Sequence, residues 1–366
     1  MSFGIKVAPE VRISASRRGL RTGFGDRPAA VHLGSGRSGA GSFSYWAGIS
    51  AREHHPQGRA ANPPVALAAL AAQIRDATRP PQIAEAARTE AAIVALHTEP
   101  YPAVVAPVVA PPHTVDDKAV ATELRSQALL GAGRWRVRGR RQAGREASGA
   151  ATEEVAQRQE QLEAEYQATR NEAVGRFDAL MANEPEDVLG ALEAFFERNE
   201  IPAGPIDCDG DVASVVLRLP APSVVPDSKP VISRKGKPAL QPRTGAERHQ
   251  LYLGALASTV IAVVRQTLAT APALGGVRIL VFRPTDAQQQ GRPLEAVYVG
   301  SFDAGVVGRT AWADVDPVAE IAGVRGRLLC LSGGDRKVTA VDLADEPDVA
   351  ALLDTLGAAL HPGPAA

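Results

Sequence analysis

A capping box at Thr244-Gly245-Ala246-Glu247, set directly before an apolar stripe, constrains the fold of this 366-residue chain more than any other stretch. In that motif the Thr oxygen accepts an amide of the first turn and the Glu reaches back to the capping residue. Behind it Leu253, Leu256, Val260, Val263 and Val264 recur on one side of a helix through about Ala269. Strand patterns lie on both sides. Ile206 and then Val212 to Leu219 read as strands across Asp209-Gly210, a hairpin dipeptide. Val277 to Phe282, Leu294 to Ser301, Arg327 to Leu331 and Lys337 to Leu343 read as further strands, and Asp316-Pro317 and Glu346-Pro347 each open a short helix. Strand pairs joined by short connections are usually antiparallel. The order predicts an α+β domain over 185–360, a sheet of four or more strands packed with helices. Pro185 opens its first helix, and Pro220 to Arg243 is expected to be an exposed Pro- and Lys-rich excursion.

The chain upstream reads as a string of modules, so the expected class is multi-domain α+β. Residues 47–114 are expected to be linker, with Ala-rich helices over Val65–Ala77 and Gln82–Leu96 divided at Pro80-Pro81. Glu99 to His113 carries Pro100, Pro102, Pro107, Pro111 and Pro112, the composition of an extended spacer. Residues 115–184 are expected to be helical, with an Arg-rich interruption from Arg134 to Gly149. In the polar helix from about Thr152 to Ala182, Val155, Leu162, Tyr166, Ala173, Phe177 and Leu180 trace a narrow coiled-coil-like stripe. Such a stripe calls for a partner, either the 115–130 helix folded back or the same helix of a second copy.

The first 46 residues alternate apolar and polar in short bursts: Ile5 and Val7, then Val11, Ile13 and Ala15, then Leu20, Thr22 and Phe24. Breaks at Pro9-Glu10, Arg18-Gly19 and Gly25 to Pro28 divide them, predicting a small antiparallel meander whose outward face carries Lys6, Arg12 and Arg21. The run MSFGIKVAPEVRISASRRGLRTGFG, with its Gly-rich continuation through Val31-His32-Leu33-Gly34, resembles the bacterial family called domain of unknown function 4236. The resemblance covers about an eighth of the chain and implies a small β module in a bacterial protein. It brings no catalytic residues with it.

A formal net charge of −1 hides a strong asymmetry. Residues 1–60 carry nine Lys or Arg against three acids, and residues 151–200 carry four against thirteen. Opposite blocks can meet each other or face different partners. Cys208 and Cys330 have no metal-ligand spacing and read as reduced thiols. No signal-peptide order is visible, and the apolar stretch Leu251 to Val264 is about 14 residues against the roughly 20 needed to span a bilayer. The expectation is a cytoplasmic protein without a membrane span.

Candidate chemistry is sparse. Gly34-Ser-Gly36-Arg-Ser-Gly39 has the letters of a dinucleotide fingerprint but runs into a strand pattern instead of a helix. Asp207, Asp209 and Asp211 fit a hairpin tip better than a calcium loop, and His54-His55 fit a linker better than a metal site. Asp286, Glu295 and Lys337, on or near C-terminal strands, form a conceivable nuclease-like trio without a tight motif. The strongest interaction signal is Arg134, Trp135, Arg136, Arg138, Arg140, Arg141 and Arg145. Guanidinium forks suit phosphate and an indole can stack on a base. The same run could instead pair with Glu153, Glu154, Glu160, Glu163 and Glu165. No catalytic, cofactor-binding or metal-binding residue is assigned, and no small-molecule substrate is indicated. The functional expectation is a non-enzymatic interaction or scaffold protein that self-associates through 152–182. The alternatives are a nucleic-acid-binding protein using the Arg134–Arg145 run and the basic N-terminal face, and a nuclease-like enzyme in the C-terminal domain.

Overall fold

The computed structural model describes residues 2–8, 11–16, 19–24, 63–131, 137–199, 201–285, 294–324, 326–334, 336–344 and 346–360. The fold is α+β, and the described residues divide into two compact units: 106–178 and the rest. In the larger unit, β1 (Ser2–Ala8), β2 (Val11–Ser16) and β3 (Gly19–Phe24) form an antiparallel meander. Its register aligns Ile5 with Ile13 and Ile13 with Thr22, and sets Lys6 opposite Arg12 and Ser14 opposite Arg21.

Two helices follow, α1 (Pro63–Asp76) and α2 (Pro80–Val94), divided at the prolines. The Gln82 side chain caps α2 by accepting the Thr78 and Arg79 backbone amides, each at 3.0 Å. Neither helix is linker. Leu67, Leu70, Ile74, Ala86 and Ile93 are buried in the same hydrophobic core as the C-terminal domain. The Ala-rich composition hid this, since small residues at helical spacing let helices approach closely without a strong apolar signal.

In the second unit, α3 (Asp117–Gly131) is followed by α4 (Val137–Met181), 45 residues long and extending past that unit's end. The expected Arg-rich interruption is helical from Val137 onward. Arg, Gln, Ala and Glu are good helix formers, and Gly139, Gly144 and Gly149 each cost only about 1 kcal/mol relative to Ala. The Val115 amide donates to Gln159 Oε1 at 3.0 Å, and Arg158 reaches Glu123 at 3.6 Å. Part of the stripe helix thus has the 115–130 helix as its neighbour.

In the larger unit, α5 (Pro185–Arg198) precedes β4 (Ala203–Asp209) and β5 (Val212–Arg218), a hairpin whose tip residue Gly210 has φ +60°. The connection then forms a two-stranded ribbon, β6 (Ser228–Ile232) and β7 (Pro238–Pro242), followed by α6 (Gly245–Thr270). Then come β8 (Gly276–Pro284) and β9 (Leu294–Asp303), α7 (Ala304–Arg309), α8 (Pro317–Gly323), the short pair β10 (Cys330–Ser332) and β11 (Lys337–Thr339), and α9 (Pro347–Leu360). The main sheet has the order β4-β5-β8-β9. Its outer pairs are antiparallel, but β5 and β8 are parallel, joined by the long crossover through α6.

Both sheet faces are buried. Val215, Leu217, Val277, Ile279 and Val281 pack with α6 and its neighbours, and Val216, Leu280, Phe282 and Val299 pack with Val349 and Leu353 of α9. Helix α6 is long and apolar enough to cross a bilayer by length and composition, yet 83% of its apolar window is buried in this fold. The capping box forms as expected: Thr244 Oγ1 accepts the Glu247 amide at 3.2 Å and Glu247 accepts the Thr244 amide at 2.9 Å.

Candidate functional site

A crossover helix between parallel strands runs against them, so α6 begins where β5 and β8 end. Sheets with such a connection tend to hold ligands outside the carboxyl ends of their strands. Here a cavity of about 750 Å³ lies at that place. Gly245, Arg248 and His249 of α6, Arg283 and Thr285 at the end of β8, and Glu295 at the start of β9 line its polar side together with Lys337. Leu294, Ala296, Val341, Leu343 and Leu353 supply an apolar wall.

Arg283 is the centre of the site. It is 6% exposed and pairs across the sheet with Glu295, its register partner. Its Nε–H donates to Glu295 Oε1 at 2.5 Å, and Nη2 donates to the Val338 carbonyl at 3.1 Å. The guanidinium lies 5.7 Å from the centroid of the Tyr252 ring. Burial works against its charge, but Tyr252 and Glu295 outweigh that and hold it more firmly protonated. The Tyr252 side chain also shares a hydrogen bond with the guanidinium, while Nη1 itself is buried, out of water's reach, and without a partner of normal geometry. His249 Nδ1 on the facing helix is likewise buried without a hydrogen-bond partner. Arg248 is held by Asp227 at 2.6 Å, and Lys337 is exposed at the rim.

Glu295 and Lys337, two of the conceivable nuclease-like trio, therefore line one cavity, while Asp286 lies outside the described residues. Glu295 is engaged by Arg283. Sequence reasoning missed Arg283, whose signal was an Arg placed at the end of the apolar run Val277 to Phe282.

A second polar cluster is structural. His97 Nδ1 lies 2.9 Å from Ser258 Oγ, but that oxygen also accepts the His97 amide at 3.0 Å and Ser258 is 0% exposed. Such a hydroxyl cannot reach a substrate. Arg265 bonds the His97 carbonyl and stacks between Tyr101 (5.0 Å) and Trp312 (5.4 Å), which fastens the 96–101 segment to α6.

Of the basic run, Arg134, Trp135 and Arg136 lie outside the described residues, as do the Gly34–Gly39 fingerprint and His54-His55. Arg138, Arg140, Arg141 and Arg145 fall on α4. Arg145 is exposed. Glu154 pairs with Arg158 at 2.8 Å within the helix. Cys208 is buried and Cys330 exposed, both as free thiols. No family model, curated protein or solved structure matches the chain.

Proposed function

We propose that the C-terminal domain binds a small molecule with an anionic head, a phosphate or carboxylate, and an apolar body. The observation that carries this reading is the meeting of Arg248, Arg283 and Lys337 with an apolar wall in one cavity. Lys337, exposed at the rim, adds to the attraction. The volume suits a drug-sized ligand, and the Leu294–Leu353 wall suits its body. Binding is favoured over catalysis because both acids that line the cavity are engaged, Glu295 by Arg283 and Asp342 by the Ala344 amide. Thermal unfolding in inorganic phosphate and in hexyl phosphate, against sodium chloride at equal ionic strength, tests it. Both should raise Tm, hexyl phosphate at lower concentration, and neither should do so in Arg283→Met. Equal shifts in the variant, or none in the wild type, would refute the reading.

A second reading concerns the whole chain, as a cytoplasmic interaction protein that self-associates through 152–182. Leu162, on the stripe of α4, is 37% exposed, which favours a further partner there. Light scattering of the full chain should show a mass that rises with concentration and falls in Leu162→Glu. A strict monomer sinks it.

A further inference from the structure

The ribbon β6–β7 carries a charge pattern unlike the rest of the C-terminal domain. Its fifteen residues, 228–242, contain Lys229, Arg234, Lys235 and Lys237 and no Asp or Glu. Lys229, near the base, is spent on Glu247. The base is also anchored: Leu240 packs against the main core. The tip is not. Arg234, Lys235 and Lys237 are all exposed, and Ile232 beside them is 71% exposed.

The tip is nevertheless ordered by its own backbone. The Ser233 amide donates to the Lys237 carbonyl at 2.8 Å, the Gly236 amide donates to the Ser233 carbonyl at 2.9 Å, and Ser233 Oγ accepts the Lys237 amide at 3.2 Å. Gly236 takes φ +71°, a conformation that favours glycine. Three cations are thus presented at the end of a fixed two-stranded arm, with no carboxylate on the arm to compete. Strands in a ribbon lie about 4.8 Å apart. A two-stranded ribbon fits the roughly 12 Å major groove of duplex DNA, and phosphate contacts are made by Lys and Arg.

We infer that the β6–β7 ribbon is an arm that docks in the groove of a nucleic-acid duplex, with Arg234, Lys235 and Lys237 on the phosphates. Ile232 rests against the groove wall. This surface is separate from the Arg283 cavity, and it differs from the Arg134–Arg145 run in being built on a hairpin.

The test uses the full chain and a fluorescein-labelled 20-base-pair duplex, with anisotropy read across a salt series. Each phosphate neutralised contributes about 0.9 to the slope of log affinity against log salt. The triple variant Arg234→Gln/Lys235→Gln/Lys237→Gln should lower that slope by about 2.7 and weaken binding at low salt by ten-fold or more. The same loss should appear in a background where the six arginines from Arg134 to Arg145 are Gln, which separates the arm from that run. Acetylation footprinting gives a second readout: duplex should protect Lys235 and Lys237 and leave Lys118, exposed on α3, reactive. Unchanged slope and affinity in the triple variant, or absent protection, overturns the inference. So does tighter binding to phosphatidylserine vesicles than to duplex with the same sensitivity to the triple variant.

Discussion

Removing Glu295 should destabilise the domain more than removing Arg283, although both belong to one ion pair. The Arg283 side chain is 7% exposed and the Glu295 side chain 24%. In Glu295→Gln the guanidinium stays charged and nearly buried, with the Val338 carbonyl and the Tyr252 side chain as its remaining contacts. Breaking a buried pair this way costs about 3–5 kcal/mol. Arg283→Met fills the same volume with apolar atoms and leaves a carboxylate that water can solvate, so about 1–2 kcal/mol is expected. Against a total stability of about 5–15 kcal/mol, a loss of about 3 kcal/mol is large. With a urea slope of about 2 kcal/mol per molar it moves the midpoint by about 1.5 M. Far-UV circular dichroism and tryptophan fluorescence should give coincident curves, which checks that the transition is cooperative. Adding Arg283→Met to Glu295→Gln should restore part of the loss, since it removes the stranded charge. An Arg283→Met variant less stable than Glu295→Gln, or a double variant worse than both, would refute this account of the pair.

Three further outcomes follow from the same contacts. Burial, with a smaller push from Arg265, lowers the His97 imidazole below its usual range, so the unfolded chain takes up a proton near pH 6.5 that the folded chain refuses. His97 therefore contributes stability that is present above pH 6.5 and lost as pH falls below it; urea midpoints at pH 7.5 and 5.5 should differ by less in His97→Gln. The Lys229 hydrogen bond, and then the Thr244 cap, pull Glu247 down to about 2, so its contribution is present above about pH 4.3 and lost as pH falls towards 2. Glu247→Gln should flatten that acid limb, and an unchanged limb would contradict the cap. With a thiol reagent at pH 8, Cys330 should react fast and Cys208 only on unfolding, because burial and Asp207, Asp209 and Asp211 raise the Cys208 thiol. Two fast thiols would contradict the burial of Cys208.

Local chemistry was the legible part of the sequence. The capping box at Thr244, the Asp209-Gly210 turn and the break at Pro80-Pro81 each carry their own geometry, and each forms where it reads. The N-terminal alternation reads as the antiparallel meander that β1, β2 and β3 form. Long-range pairing was not legible. Nothing local in Val212–Arg218 says that its neighbour is Gly276–Pro284, some sixty residues on and parallel. Excursion 220–243 gave no strand reading because Pro230, Pro238 and Pro242 argue against a central strand, while an isolated ribbon tolerates them. The Arg283 site was hidden for the same reason. Glu295 and Lys337 were visible as chemistry, but their convergence with α6 depends on the crossover.

The central claim is that an oxyanion occupies the cavity lined by Arg248, Arg283 and Lys337. Crystals grown with sodium selenate, with anomalous data collected at the selenium edge, test it most directly. The account predicts a peak in that cavity, lost in crystals of Arg283→Met. A cavity filled by protein side chains, or selenium bound only elsewhere, would contradict it.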